Sequence, residues 1–171
     1  MSVSRRLLPF VALLIAGCAT TPDSPEAAKV RSPVINAQGA VIGHVDSWHD
    51  AGGSHIVLRI RGLPAGRHGM HYHSVGRCDV PDFKSAGGHW NPTDREHGHL
   101  NPKGAHVGDW GNLIVFADKD TTAGDAREGL PSFNDADGTA LVIHALPDDE
   151  RTDPSGNSGD RIACAVLAPP R

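Results

Sequence analysis

Aromatic side chains are scarce, 5% of 171 residues, while glycine and proline number 20 and 13. A chain punctuated in this way favours many short elements joined by turns, and no stretch carries a convincing helical repeat. A single β-rich domain is the expectation at this length. Long apolar runs are missing as well. The run from Leu7 to Ala16 is too short to span a bilayer as a helix. Basic charge is in deficit, with 16 Lys and Arg against 20 Asp and Glu, which argues against a nucleic-acid partner. Cysteine is limited to three, an odd number that leaves one thiol over in an exported protein.

What the chain does have is histidine. Met70 to Asp109 holds six of the eleven, and His71, His73, His89, His97 and His106 follow one another with 1, 15, 7 and 8 residues between them. Asp109 comes three residues after His106. Any one of these histidines could be an ordinary surface residue, but the set has the density of a ligand cluster. Neutral imidazole suits copper and zinc, and several His with one Asp suit tetrahedral zinc. Gly87, Gly88, Pro92, Gly98, Pro102 and Gly104 mark the connecting chain as an irregular loop, and a loop this long in a compact domain is usually functional.

The N-terminus reads as an export signal over residues 1–17, with Arg5 and Arg6 ahead of the apolar run. Ile15-Ala16-Gly17-Cys18 resembles a bacterial lipoprotein cleavage box, which makes Cys18 a candidate lipidation site; an ordinary signal peptide with an incidental cysteine is the alternative. Ser4-Arg5-Arg6 weakly resembles a twin-arginine signal, so the export route stays open. Cleavage removes two basic residues and no acidic one, moving the net charge from −4 to −6. Residues 18–29 comprise the lipidated cysteine and a small, polar tether. If Cys18 is acylated, Cys78 and Cys164 remain and should join in an oxidising compartment. Closing that loop stabilises by roughly 4–5 kcal/mol in the chain-entropy model.

The domain proper occupies residues 30–171. Val30–Ile35, Ala40–Val45, His55–Ile60, Gly66–His73, Gly111–Ala117, Thr139–Ala145 and Arg161–Leu167 read as strands, and Asp118 to Gly124 reads as a turn. Ile56, Leu58 and Ile60 alternate onto one interior face. His71 and His73, two apart, share a strand face. His144 ends an apolar strand and is a further candidate ligand. The expected fold is all-β, an eight-stranded antiparallel Greek-key barrel or sandwich with two long functional loops.

The sequence resembles the copper/zinc superoxide dismutases from about Val30 to Leu167, on GMHYH at 69–73, GGHWNP at 87–92, HVGDWGN at 106–112, GTALVIHA at 138–145 and GNSGDRIACAV at 156–166. The resemblance implies one copper and one zinc per chain. Copper would bind His71, His73, His89 and His144; zinc would bind His89, His97, His106 and Asp109, with His89 bridging. It implies that Arg161 borders the copper channel, although pairing with Asp160 is an alternative. Asp148, with Asp149 as runner-up, would link His71 to His97, and Cys78 and Cys164 match the family's disulfide. The Cys78 spacing is similar to the bacterial exported branch. The short segment from His144 to Arg161 puts substrate steering, rather than ligation, in question.

The implied activity is dismutation of superoxide to dioxygen and hydrogen peroxide by a redox-cycling copper beside a structural zinc, with His89 and Arg161 as catalytic residues. Superoxide is then the substrate, and the membrane is a partner through Cys18. The implied place is the periplasm, on the outer membrane because Ala19 rather than Asp follows Cys18. A homodimer is one open outcome. The rival reading is a metal storage or delivery protein on the same fold, whose mark would be loss of Arg161, His89 or a copper ligand; a purely structural β-sandwich would have no use for seven convergent ligands. His68 is expected to be structural, and His44, His49, His55 and His99 to be surface or strand histidines, with a decoy ligand beside His97 as the alternative for His99, while Trp48, Trp90 and Trp110 are expected to pack.

Overall fold

The computed structural model describes residues 28–125 and 128–171; the signal segment, Cys18 and the tether up to residue 27 lie outside the described residues. Eight strands form the body: β1 (Val30–Asn36), β2 (Val41–Asp50), β3 (Gly53–Ile60), β4 (Gly66–His73), β5 (Asp109–Val115), β6 (Thr121–Asp125), β7 (Thr139–His144) and β8 (Arg161–Ala168). They pair antiparallel in the order β5-β4-β7-β8-β1-β2-β3-β6. The two end strands, β5 and β6, come alongside each other, so the sheet nearly closes into a barrel. Placing β7 beside β4, and β8 beside β1, gives the Greek-key crossing. Among the described residues the only helical element is a 3-10 turn, Lys84–Ala86.

Alternation sets the interior. Ile56, Leu58 and Ile60 of β3 are buried together with Val34, Val45, Met70, Tyr72, Leu113, Leu141 and Ile143. The Tyr72 hydroxyl donates to Asp125 Oδ2 at 2.9 Å, tying β4 to the end of β6. Trp90 packs at a tilt against Phe133 over the same core, Trp110 is partly buried against it, and Trp48 stacks on His55. One expectation fails: the stretch read as a turn over Asp118 to Gly124 holds the first four residues of β6, a strand that pairs with β3 from Ile56 to Ile60. Its sequence, TTAGD, has little apolar content, and pairing with a well-specified neighbour overrides weak local preference.

The site follows from how β4 and β7 are covered. On β4, Met70 and Tyr72 point into the barrel, so His71 and His73 point outward, yet all four are fully buried. On β7, Leu141 and Ile143 join the core, while Ala140 and Val142 pack outward with Phe83, Ala86 and Cys164. The long connections 74–108 and 145–160 close over this outer face. A Cys78–Cys164 disulfide, with Cα atoms 5.7 Å apart, pins the first of them to β8.

Candidate metal centre

Four imidazoles meet on the outer face. His71 and His73 come from β4, His144 from the end of β7, and His89 from the first long connection, held by a bridge to His73. Each has one ring nitrogen fixed by an acceptor. His71 Nε2 donates to Asp148 Oδ2 at 2.8 Å, and His73 Nδ1 to the Gly87 carbonyl at 3.0 Å. His144 Nδ1 donates to the Gly159 carbonyl at 3.0 Å, and His89 Nδ1 lies 3.0 Å from Asp109 Oδ1. The opposite nitrogens, His71 Nδ1, His73 Nε2, His89 Nε2 and His144 Nε2, are buried without a hydrogen-bond partner. They also lie within 4.8 Å of one another. A buried lone pair without a donor is costly, and four of them converging fit a cation.

Burial pushes His71 down to about 3 and His144 down to about 4, and it holds His73 well below and His89 below the usual imidazole range. At neutral pH these rings are uncharged, with the outer nitrogen protonated and the inner one available as a ligand.

A second set shares His89. Asp109 Oδ1 lies 3.0 Å from His89 Nδ1, 2.9 Å from His97 Nδ1 and 3.1 Å from His106 Nδ1, and the His89 and His106 nitrogens are 3.4 Å apart. A tetrahedron with bonds of about 2.0 Å to a central metal has edges of about 3.3 Å, so this donor set has the size zinc requires. The other Asp109 oxygen accepts the main-chain N–H of Gly98 at 2.8 Å and of His106 at 3.0 Å, which orients Oδ1 toward the rings. Burial opposes ionisation of Asp109, but bonds from His89 and His97 outweigh it and hold the carboxyl well below its ordinary range. Burial likewise opposes a charge on His97, yet Asp109 and Asp148 outweigh it and raise the ring to about 9. A divalent cation in this set takes the place of that proton.

Asp148 connects the two sets. One of its oxygens accepts His71 Nε2 and the other accepts His97 Nε2 at 3.0 Å. Asn112 of β5 clamps its backbone in both directions, at 2.8 and 2.9 Å. Gly156 passes so close that a Cβ there would overlap Asp148 Oδ1 and crowd His97 Nε2, and its φ of +63° also favours glycine. Asp149, the alternative bridge, instead caps its own loop through Arg151, Thr152 and Asn157.

Arg161 opens β8 beside the first set. Its guanidinium donates to the carbonyls of Phe83 and Gly87, each at 2.7 Å, and not to Asp160. Because the Gly87 carbonyl also accepts from His73, Arg161 is fixed to a ligand-bearing segment. The adjacent cleft is lined by Pro81, Asp82, Lys84, Asp160 and Arg161 among others, with Lys84 and Asp82 paired at 2.8 Å.

Two other histidines are accounted for. His68 is buried between the carbonyls of His144 and Pro64, at 2.8 and 2.9 Å, and is structural. His99 donates its Nε2 hydrogen to the main-chain oxygen of Asp109 at 3.0 Å, so it supports the second set from behind rather than competing as a ligand. Asn112 and Gly156 lie inside motifs already apparent in the sequence, but nothing there assigns them a task.

The sequence model of the copper/zinc superoxide dismutase family matches residues 41–167. The chain is 39% identical over 148 residues to superoxide dismutase [Cu-Zn] 2 of Aquifex aeolicus, covering 81% of this chain and 86% of that one. Among solved structures it is similar to a SOD-like protein from Bacillus subtilis, with a TM-score of 0.76 and 37% identity over 82% of this chain and 99% of that chain. It is also similar to the Cu/Zn superoxide dismutase from Brucella abortus, with a TM-score of 0.66 and 27% identity over the same shares, 82% and 99%.

Proposed function

The chain belongs to the copper/zinc superoxide dismutase family, and from that membership we propose that His71, His73, His89 and His144 hold copper while His89, His97, His106 and Asp109 hold zinc. It is an oxidoreductase of that type, with copper and zinc as cofactors, converting two superoxide anions and two protons into dioxygen and hydrogen peroxide.

The convergence of four buried, partnerless nitrogens supports the copper assignment above all, because an all-nitrogen set suits copper and the set with a carboxylate suits zinc. When bound, copper supplies a one-electron couple, and zinc, which has no redox chemistry, supplies a fixed charge. His89 contributes one nitrogen to each set and can hold a proton at Nε2 between the two halves of the reaction, the role of a general acid. Arg161 spends two N–H groups on carbonyls and keeps the rest of its fork for an anion. Asp148 keeps the rings of His71 and His97 in the tautomer that faces inward.

Selective loss of metal tests the assignment. His144→Ala should release copper on dialysis and keep zinc, and His106→Ala should do the reverse, as counted by atomic emission. Equal loss of both metals from each variant would contradict it.

The proposal extends to place. The signal-like sequence over residues 1–17, the lipoprotein-like box ending at Cys18, and a disulfide suited to an oxidising compartment support a periplasmic enzyme on the outer membrane that removes extracytoplasmic superoxide. Radiolabelled fatty acid should enter the protein and be absent from Cys18→Ser; a soluble exported product would refute the anchor.

A further inference from the structure

Two of the three outer ring nitrogens around the second donor set face carboxylates, those of Asp148 and Asp153. His97 Nε2 donates to Asp148, and the outer nitrogen of His89 belongs to the copper set. His106 remains. It offers Nδ1 inward, 3.1 Å from Asp109 Oδ1, which leaves Nε2 as its outer nitrogen. That nitrogen lies 3.8 Å from Asp153 Oδ1. The same oxygen accepts the main-chain N–H of His97 at 2.7 Å.

We propose that Asp153 is a positioning residue for zinc, one carboxylate oxygen fixing the backbone of His97 while its charge faces the outer nitrogen of His106. The inference rests on the assignment of His89, His97, His106 and Asp109 to zinc. Geometry carries it, since a single oxygen reaches two ligand residues that are themselves nine apart in sequence. Asp153 comes from the same 145–160 connection as Asp148, so that connection delivers two carboxylates to the outer sides of the ligand residues. Carboxylates behind ligand histidines set ring orientation and ligand basicity, and their removal typically weakens metal binding by about 10–100-fold. The Asp153 side chain is 49% exposed, so its charge is partly screened and the lower end of that range applies.

The test uses the exported protein loaded with zinc alone, with release followed by a chromophoric chelator. Asp153→Ala should speed zinc release about tenfold, and Asp153→Asn should fall between it and the wild type, because an amide oxygen still accepts the His97 N–H but carries no charge. Thermal midpoints of the metal-free proteins should coincide. Wild-type release from Asp153→Ala would overturn the inference, and full restoration by asparagine would overturn the charge contact with His106. A drop in metal-free stability matching the faster release would reduce Asp153 to a loop clamp. A wild-type protein that takes up no zinc would instead refute the zinc assignment beneath it.

Discussion

His89→Ala should lower superoxide turnover by roughly 10²–10⁴-fold, the range spanned by losing a positioned proton carrier. Among the described residues His89 is the one ring shared by the four-histidine set and the set with Asp109. Its Nε2 is one of four buried nitrogens without a hydrogen-bond partner, and its Nδ1 stands 3.0 Å from Asp109 and 3.4 Å from His106 Nδ1. Alanine therefore removes one ligand from each metal and the group that can hold a proton between them. The first set keeps three histidines and, like the set left in His144→Ala, should release copper on dialysis. The second keeps two histidines and a carboxylate and should lose zinc on dialysis. A variant with full dismutase activity would sink the role given to His89.

Arg161→Glu carries the second large effect. With residues 1–17 removed the chain has a net charge of −6, so the protein as a whole repels an anionic substrate. A locally positive entrance is what can focus it. Arg161 is held beside the four-histidine set by two carbonyls, and the lysine that lines the same cleft, Lys84, is already paired with Asp82. Charge reversal should lower the second-order rate roughly 10–100-fold at low ionic strength and should flatten or invert its decline with added salt. Arg161→Lys separates charge from shape. It keeps the sign and should keep the salt dependence, while losing part of the rate because an ammonium cannot span both carbonyls as the planar fork does. A salt profile in Arg161→Glu that matches the wild type would count against steering.

Ligand chemistry was legible in the sequence because it depends on residue type at short spacing. His71 and His73, two apart on a strand, had to share a face, and the punctuation between His73 and Asp109 marked a loop free to bring further histidines back to them. The interior of β3 was legible for a similar reason, since Ile56, Leu58 and Ile60 alternate against polar neighbours. Strand β6 was not, because Thr121 to Asp125 carries turn-forming residues and owes its conformation to its partner β3. The choice between Asp148 and Asp149 could not be made from order alone. Adjacent carboxylates point in opposite directions, and only the clamp from Asn112 fixes which one meets His71 and His97. Asp153 gave no signal at all, for its two targets lie 56 and 47 residues away and are reached only when the 145–160 connection folds back.

The most direct measurement is catalysed decay of superoxide by the purified protein, with copper and zinc counted per chain in the same preparation. One copper and one zinc per chain, with rapid turnover that disappears on removal of copper, is the predicted result. A full complement of both metals without turnover would contradict it and identify a protein that holds the metals without using them.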